Sequence, residues 1–538
     1  MRIRTPLLAT GSALVLVTAL FDTAGRASGS DGATVPGTTI RVSVPLDGSW
    51  DREDSAHSAV SDDGRYVAFT STSDHLTTAE GDFLTDVFVR DTWSATTDVM
   101  SLRTDGTGFR TDAYLLSMSG DASRVYFRTP ETRYAEVFRV WVRDCEAGTT
   151  TRLAERVVDA AVSSNGRWFA YGAWTDDTQD SIDLHLRDLA TDAELVVGSV
   201  PTDWSLAPSV ADSGDIAFHT PSSLTPEDGD ATYDVYVWTR QTETYALVPH
   251  GPDGLHRRNA GMPVITPDSG AIVFWADGAW ILWEAPSTWS WIDEALPNEF
   301  TPLGAALTPD ASFVVYVKGE ADEHGSTYVY LYDRAADTTA RVDVNEYGVG
   351  SMDSRPAYPS ITPDGRFVAF MSDTSSLVPG GRPNYYQHVY LRDREGSPVP
   401  GPLPDLMVHT SEQPFWTGEG SIGVRVDSAW DAIQANGRTT IELRVVNLAP
   451  FEGAIGLEAP PSTRRVRLRY VVDHVDVTED VTAGMYVTPL LPADGAHTVV
   501  LRVRVVPRDA SVYRHLTIRT WSTVVPAWRD VMMLTISG

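Results

Sequence analysis

The sequence predicts an all-β protein: a seven-bladed β-propeller followed by an immunoglobulin-like β-sandwich. Three observations predict it. A turn-plus-strand phrase recurs seven times between residues 61 and 370, and a second strand phrase follows each copy. Beyond residue 404 the repeat gives way to Arg-rich alternation with apolar residues and no helical period of useful length. At 538 residues the chain is too long for one ordinary core, in keeping with two domains.

The first phrase reads SDDGRYVAF from Ser61, SGDASRVYF from Ser119, SSNGRWFAY from Ser163 and ADSGDIAF from Ala211. It continues as TPDSGAIVF from Thr266, TPDASFVVY from Thr308 and TPDGRFVAF from Thr362. Asp-Gly or Asn-Gly makes a tight turn, because Gly tolerates positive φ and Asp or Asn bonds back to its own backbone. The β-branched and aromatic residues that follow make a strand. The second phrase reads DVFVRD from Asp86, RVWVRD from Arg139, DLHLRD from Asp183 and DVYVWTR from Asp234, with AWILWEA, YVYLYDR and HVYLRDR as later copies. Four short antiparallel strands per repeat are the pattern of propeller blades.

The last copy, HVYLRDR from His388, runs into Gly396-Ser397-Pro398 without a fourth strand. A matching strand, TTIRVSV at residues 38–44, stands alone before the first hairpin. It is expected to complete the last blade, since open first and last blades would leave unpaired edges. The propeller is thus expected over 38–397, a Pro-rich linker over 398–404, and the sandwich over 405–538. In the last of these, IELRVVN, RVRLRYVV, HTVVLRVRVV and HLTIRTW alternate as half-buried antiparallel strands do.

TPDGRFVAFMS and DVFVRD resemble the Pro-Asp-Gly repeats of TolB-type propellers, bacterial relatives of WD-repeat blades. The resemblance covers about two-thirds of the chain. It implies a fold whose members serve as interaction platforms, as gating domains of peptidases and occasionally as metal-dependent lyases. The stretch VRLRYVVDHVDVTEDVTAGMYVTPLLPADGAHTVVLRVRV resembles sandwich modules attached to such propellers, which act as spacers or adhesion units.

Arg2 and Arg4 precede an apolar run, Leu7 to Phe21, and Gly25 and Ala27 suit cleavage after Ala27. Residues 1–27 are therefore expected to be a signal peptide, and the protein secreted, periplasmic or in the cell envelope. An uncleaved anchor is the alternative, on a run short for a roughly 20-residue span. No other segment is apolar enough to span a membrane. Cys145 is the only cysteine, so an exported chain has no internal disulfide. The formal net charge is −31, which disfavours nucleic acid as a partner. Residues 402–538 hold 13 Arg against 15 Asp plus Glu, so nearly all the negative charge lies in the repeats.

Catalytic motifs are missing. Gly-x-Ser-x-Gly, the nucleophile elbow of propeller-gated peptidases, does not occur, nor does His-Glu-x-x-His or a cysteine pair for zinc. The chain is accordingly expected to be non-enzymatic, with no certain cofactor: an exported binding or scaffold protein, monomeric, with a protein or glycan partner in the envelope or outside the cell. A carbohydrate-active lyase or hydrolase with a site in the propeller channel is the alternative.

Two sites are expected. The loops leading into the inner strands place Asp54, His57, Asp112, Tyr114, Trp204, Arg257, Asn259, Asp353 and Arg355 at the channel mouth, where aromatic, acidic and cationic groups mix as on a recognition surface. Each of them fits a simple turn-forming role equally well. Acidic loops between second and third strands place Asp82 and Asp86, and Asp228, Asp230 and Asp234, where oxygen ligands could hold Ca²⁺. The TolB-type family often carries a Gly-Asp-x-Asn-Gly-like loop here, from which EGDFLTD and EDGDATYD depart, and plainly solvated loops fit as well. Trp275, Trp280, Trp283, Trp289 and Trp291 crowd the fifth repeat, and their alternation with apolar residues favours packing over an exposed platform.

Overall fold

The computed structural model describes residues 37–537 apart from 50–52, 79–82, 132–136, 175–180, 201–205, 249–259, 277, 286–287, 294–303, 320–325, 347, 351–353, 375, 379–385, 397–403, 411–426, 433–436, 450–451, 507–512 and 525–528. The expected signal peptide lies outside the described residues. Among the described residues the chain is almost entirely strand, with one five-residue helix at Thr478–Thr482, and no helix is long and apolar enough to cross a membrane.

Five four-stranded sheets and one seven-stranded sheet carry residues 38–393. The first repeat pairs Ser55–Val60, Tyr66–Ser71, Asp86–Asp91 and Thr96–Val99 in chain order, all antiparallel. Its turn phrase works as the residue types dictate. Ser61 Oγ donates to Asp63 Oδ1 at 2.6 Å and accepts from the Tyr66 amide at 2.9 Å, with Gly64 at φ +72°. Thr362, Asp364 and Phe367 repeat these bonds, as do Ser163, Asn165 and Trp168.

The Arg after the turn then clasps the Asp that ends the third strand. Arg65 donates from Nε and Nη2 to Asp91 at 3.0 and 2.6 Å, and Arg366 does the same to Asp393 at 2.9 and 2.8 Å. Arg167 and Asp188 make the same pair, so the Asp that ends the strand phrase is one half of a hairpin clasp.

The inner strands of successive repeats touch in turn, 55–60 to 114–118, 149–162, 209–210, 261–265, 305–307 and 357–361, and the last touches the first. This closed ring of inner strands is a β-propeller. Its middle strands are buried on both faces: every residue of Trp168–Trp174 is buried. Burying one such aromatic or aliphatic side chain stabilises by about 1.5–3 kcal/mol.

Thr38–Arg41 pairs antiparallel with His388–Asp393, Ile40 opposite Leu391, so the N-terminal strand lies on the last sheet. Thr39 Oγ1 donates to the Val344 carbonyl at 2.6 Å. Arg392, 1% exposed, donates from Nη1 to Thr39 Oγ1 at 3.1 Å and to the Asn345 carbonyl at 2.8 Å. One feature differs from four separate strands per repeat. Thr149–Val162 runs unbroken for 14 residues as the last strand of one repeat and the first of the next, fusing two repeats into the seven-stranded sheet.

Residues 404–537 form two five-stranded sheets. Leu443 and Leu501 of one and Leu516 and Leu534 of the other share a single apolar core, so the sheets face each other as a sandwich. The alternation is as expected: Arg438 and Glu442 are exposed while Ile441 and Leu443 are buried. Asp427–Ala432 pairs parallel with Arg529–Ser537, which alternation alone does not reveal. Asp530, 1% exposed, ties the sheets by accepting the Leu406 amide at 2.6 Å.

Candidate functional site

The inner strands share a backbone device near their starts. Four residues before five of the seven turn phrases, His57, Ala207, Met262, Gly304 and Tyr358 have positive φ, from +37° to +111°. Strand register slips at the same place, between Ala56 and Ser58, Gly261 and Val264, and Ala357 and Ser360. Such a bulge re-aims a side chain. A non-Gly residue there costs about 1–3 kcal/mol, and such strain clusters at functional sites.

Two re-aimed residues meet. The His57 and Tyr358 rings stack with centroids 4.3 Å apart, and Ser58 Oγ donates to the Tyr358 carbonyl at 2.9 Å. Tyr114 and Arg128 are cross-strand partners in the neighbouring sheet. Burial pushes the Arg128 guanidinium down, opposed by Asp159, Tyr114 and Tyr358. Asp159 accepts the amides of Leu206 and Ala207 at 3.0 and 3.3 Å. Burial first, and the Arg128 charge second, lower the His57 imidazole to about 4, so the ring is neutral at neutral pH. His57 Nδ1 and Arg128 Nε are both buried without a hydrogen-bond partner among the described residues. Buried polar atoms are nearly always satisfied by protein, ordered water or a ligand, so these two nitrogens call for one of the latter two.

The structure brings together only His57 and Tyr114 of the expected channel-mouth residues. Asp54 accepts the Gln387 amide at 2.8 Å and Asp112 accepts the Thr85 amide at 2.9 Å, so both brace loops. Arg355 is exposed and its amide donates to Asp373 at 2.8 Å. Trp204, Arg257, Asn259 and Asp353 lie outside the described residues. Arg128, Asp159 and Tyr358 were missed. Tyr358 had a signal, since it sits at the position of His57 in its own repeat; Arg128, at the far end of a second strand, had none.

Among the described residues, one group of acidic side chains converges. Carboxylate oxygens of Asp228, Asp230 and Asp234 lie within 4.8 Å of one another and could hold a metal ion. Tyr236 donates its hydroxyl to Asp228, and the Asp230 amide donates to Asp228 at 3.2 Å. Burial first, then Asp228 and Asp230, raise the Asp234 carboxyl to about 7. In the first repeat's acidic loop, Asp86 accepts from Ser101 Oγ. Asp82 lies outside the described residues. Trp280 is 3% exposed, and Trp275, Trp283 and Trp291 are half-buried against the cores, so these four pack; the Trp289 side chain lies outside the described residues.

No family model matches the chain, and no curated protein matches it. Solved structures do. An oligogalacturonate lyase in complex with manganese is similar at 14% identity and TM-score 0.44, over 68% of this chain and 94% of that one. TolB from Acinetobacter baumannii is similar at 12% identity and TM-score 0.35, over 62% and 82%. The propeller domain of the Trilobed protease from Pyrococcus furiosus is similar at 10% and 0.41, over 61% and 93%. The likeness is one of fold. It nevertheless corrects one expectation: propellers of this kind include lyases, so missing hydrolase and zinc motifs are no ground for a chain without catalysis.

Proposed function

We propose that residues 38–397 form a seven-bladed propeller of an exported protein that binds a carboxylated glycan at its channel mouth and cleaves it by elimination. Residues 1–27 serve export, 398–404 link, and 405–538 form an immunoglobulin-like spacer. The observation that supports this reading is the pair of buried, unpartnered nitrogens, His57 Nδ1 and Arg128 Nε. A guanidinium with a donor to spare suits a carboxylate. The Tyr358 ring, 39% exposed, offers an aromatic surface to a sugar. With the carboxylate held by Arg128, the carbon-bound proton beside it is acidified. His57 Nδ1 takes that proton, a carbon–carbon double bond forms, and the glycosidic oxygen leaves and is protonated; no oxidant or water is consumed. The Asp228 group binds a cation, Ca²⁺ by its all-oxygen donors.

A panel of uronate-containing and neutral polysaccharides tests the reading, followed by absorbance of the unsaturated product. Binding and product release confined to uronates, with release lost in His57→Gln and binding weakened in Arg128→Gln, is the expected result. Binding that ignores Arg128→Gln, or no binding to any uronate, would overturn it.

A further inference from the structure

Against a net charge of −31, one cavity is cationic. It has a volume of about 460 Å³ and is lined by Arg103, Arg110, Arg139, Arg152, Phe109 and Trp141, with no acidic residue in its wall. Arg103 and Arg110 come from the loop that joins the first repeat to the second, and the others from the second repeat's sheet and that same loop. Thr129 lines it too, whereas its neighbour Arg128 belongs to the channel group. Successive strand residues face opposite ways, so this cavity and the channel mouth lie on opposite faces of Arg124–Pro130.

Two arginines are partly neutralised nearby: Arg139 lies 4.0 Å from Glu131, and Arg152 lies 3.1 Å from Glu155. Arg103 stacks its guanidinium over the Phe109 ring at 5.2 Å and helps hold the exposed Asp105 carboxyl below its usual range, and neither Arg103 nor Arg110 has an ion pair within 4 Å among the described residues. The Phe109 and Trp141 rings stand 5.0 Å apart. Thr104 and Thr150 present hydroxyls at the rim, already bonded to this backbone, so the loop and the sheet are fixed to each other. A cavity of ~300–1,000 Å³ with convergent polar groups is the size of a small-ligand site. Cations that attract oxyanions, set beside the half-buried Trp141 ring and the rim hydroxyls, match a sugar that carries an oxyanion.

We propose that this cavity is a second binding site, separate from the channel, for a one- or two-ring sugar bearing a carboxylate or a sulfate ester. Isothermal titration of the full chain tests it, with digalacturonate, galactose 6-sulfate, neutral galactobiose and inorganic sulfate as probes. Arg103 and Arg110 are exposed, so Arg103→Gln and Arg110→Gln leave the core untouched. Either acidic sugar is expected to bind about tenfold or more weakly to the double variant, with Arg110→Lys partly restoring it. Which of the two binds better assigns carboxylate or sulfate ester. Acidic-sugar binding unchanged in the double variant overturns the proposal, as does equal binding of galactobiose or equal binding of inorganic sulfate. Arg128→Gln removes the channel site alone, so failure of the channel reading leaves the Arg103 and Arg110 effect still measurable.

Discussion

His57 and His388 are both held neutral by burial, at about 4 and about 3 against an ordinary 6.5. Their folded values lie below the unfolded one, so the unfolded chain binds more protons below pH 6.5. The stability they allow is complete above pH 6.5 and is lost as pH falls, through about 4 for His57. The loss from His57 alone is roughly 3 kcal/mol at its limit. His57→Phe keeps a ring against Tyr358 and cannot be protonated. Its melting temperature should therefore fall less steeply than the parent's between pH 6.5 and 4; parallel curves would show that His57 is not the titrating group. The channel group was only half legible at this scale. His57, Ala207, Met262, Gly304 and Tyr358 share a backbone state and no side-chain type, so composition could not align them.

Among elements, the strand Thr38–Arg41 holds the last sheet's outer edge, with Arg392 buried beneath it. Removing residues 1–44 should lower the melting temperature by many degrees and expose a sheet edge that promotes aggregation. Arg392→Ala should cost about 3 kcal/mol or more in denaturant titration, because it strips partners from buried Thr39 and two carbonyls. A cost under 1 kcal/mol would argue that the edge is held by backbone pairing alone. The acidic loop makes a separate prediction. Ca²⁺ or Mn²⁺ should raise the melting temperature and EDTA reverse it, with the response lost in Asp234→Asn; no response to either ion removes the cation site. Hairpins were legible because turn and strand lie within ten residues. That Asp228, Asp230 and Asp234 converge was not, since it depends on how the loop before Asp234 folds back, which a run of carboxylates does not specify.

Over the whole molecule, the net charge of −31 sits almost entirely in the repeats and acts as self-repulsion on the propeller. Salt shortens its reach, from a Debye length of about 30 Å at 0.01 M to about 8 Å at 0.15 M. The melting temperature should rise over that range, and a flat or falling profile would mean that local ion pairs such as Arg65–Asp91 dominate. The ring and the sandwich were legible from periodicity alone. The parallel pairing of Asp427–Ala432 with Arg529–Ser537 was not, because alternation fixes which face is buried and is silent on strand direction.

Thr149–Val162 gives two neighbouring repeats a single continuous strand in place of a connecting loop. A protease needs a segment it can draw into its cleft, and this strand offers none, since its first half is paired with Phe138–Asp144 and its second half with Trp168–Trp174. Limited digestion should therefore leave residues 149–162 inside one fragment while cutting between other repeats. Those two repeats are therefore expected to part last, with any opening of the ring starting at the other seams.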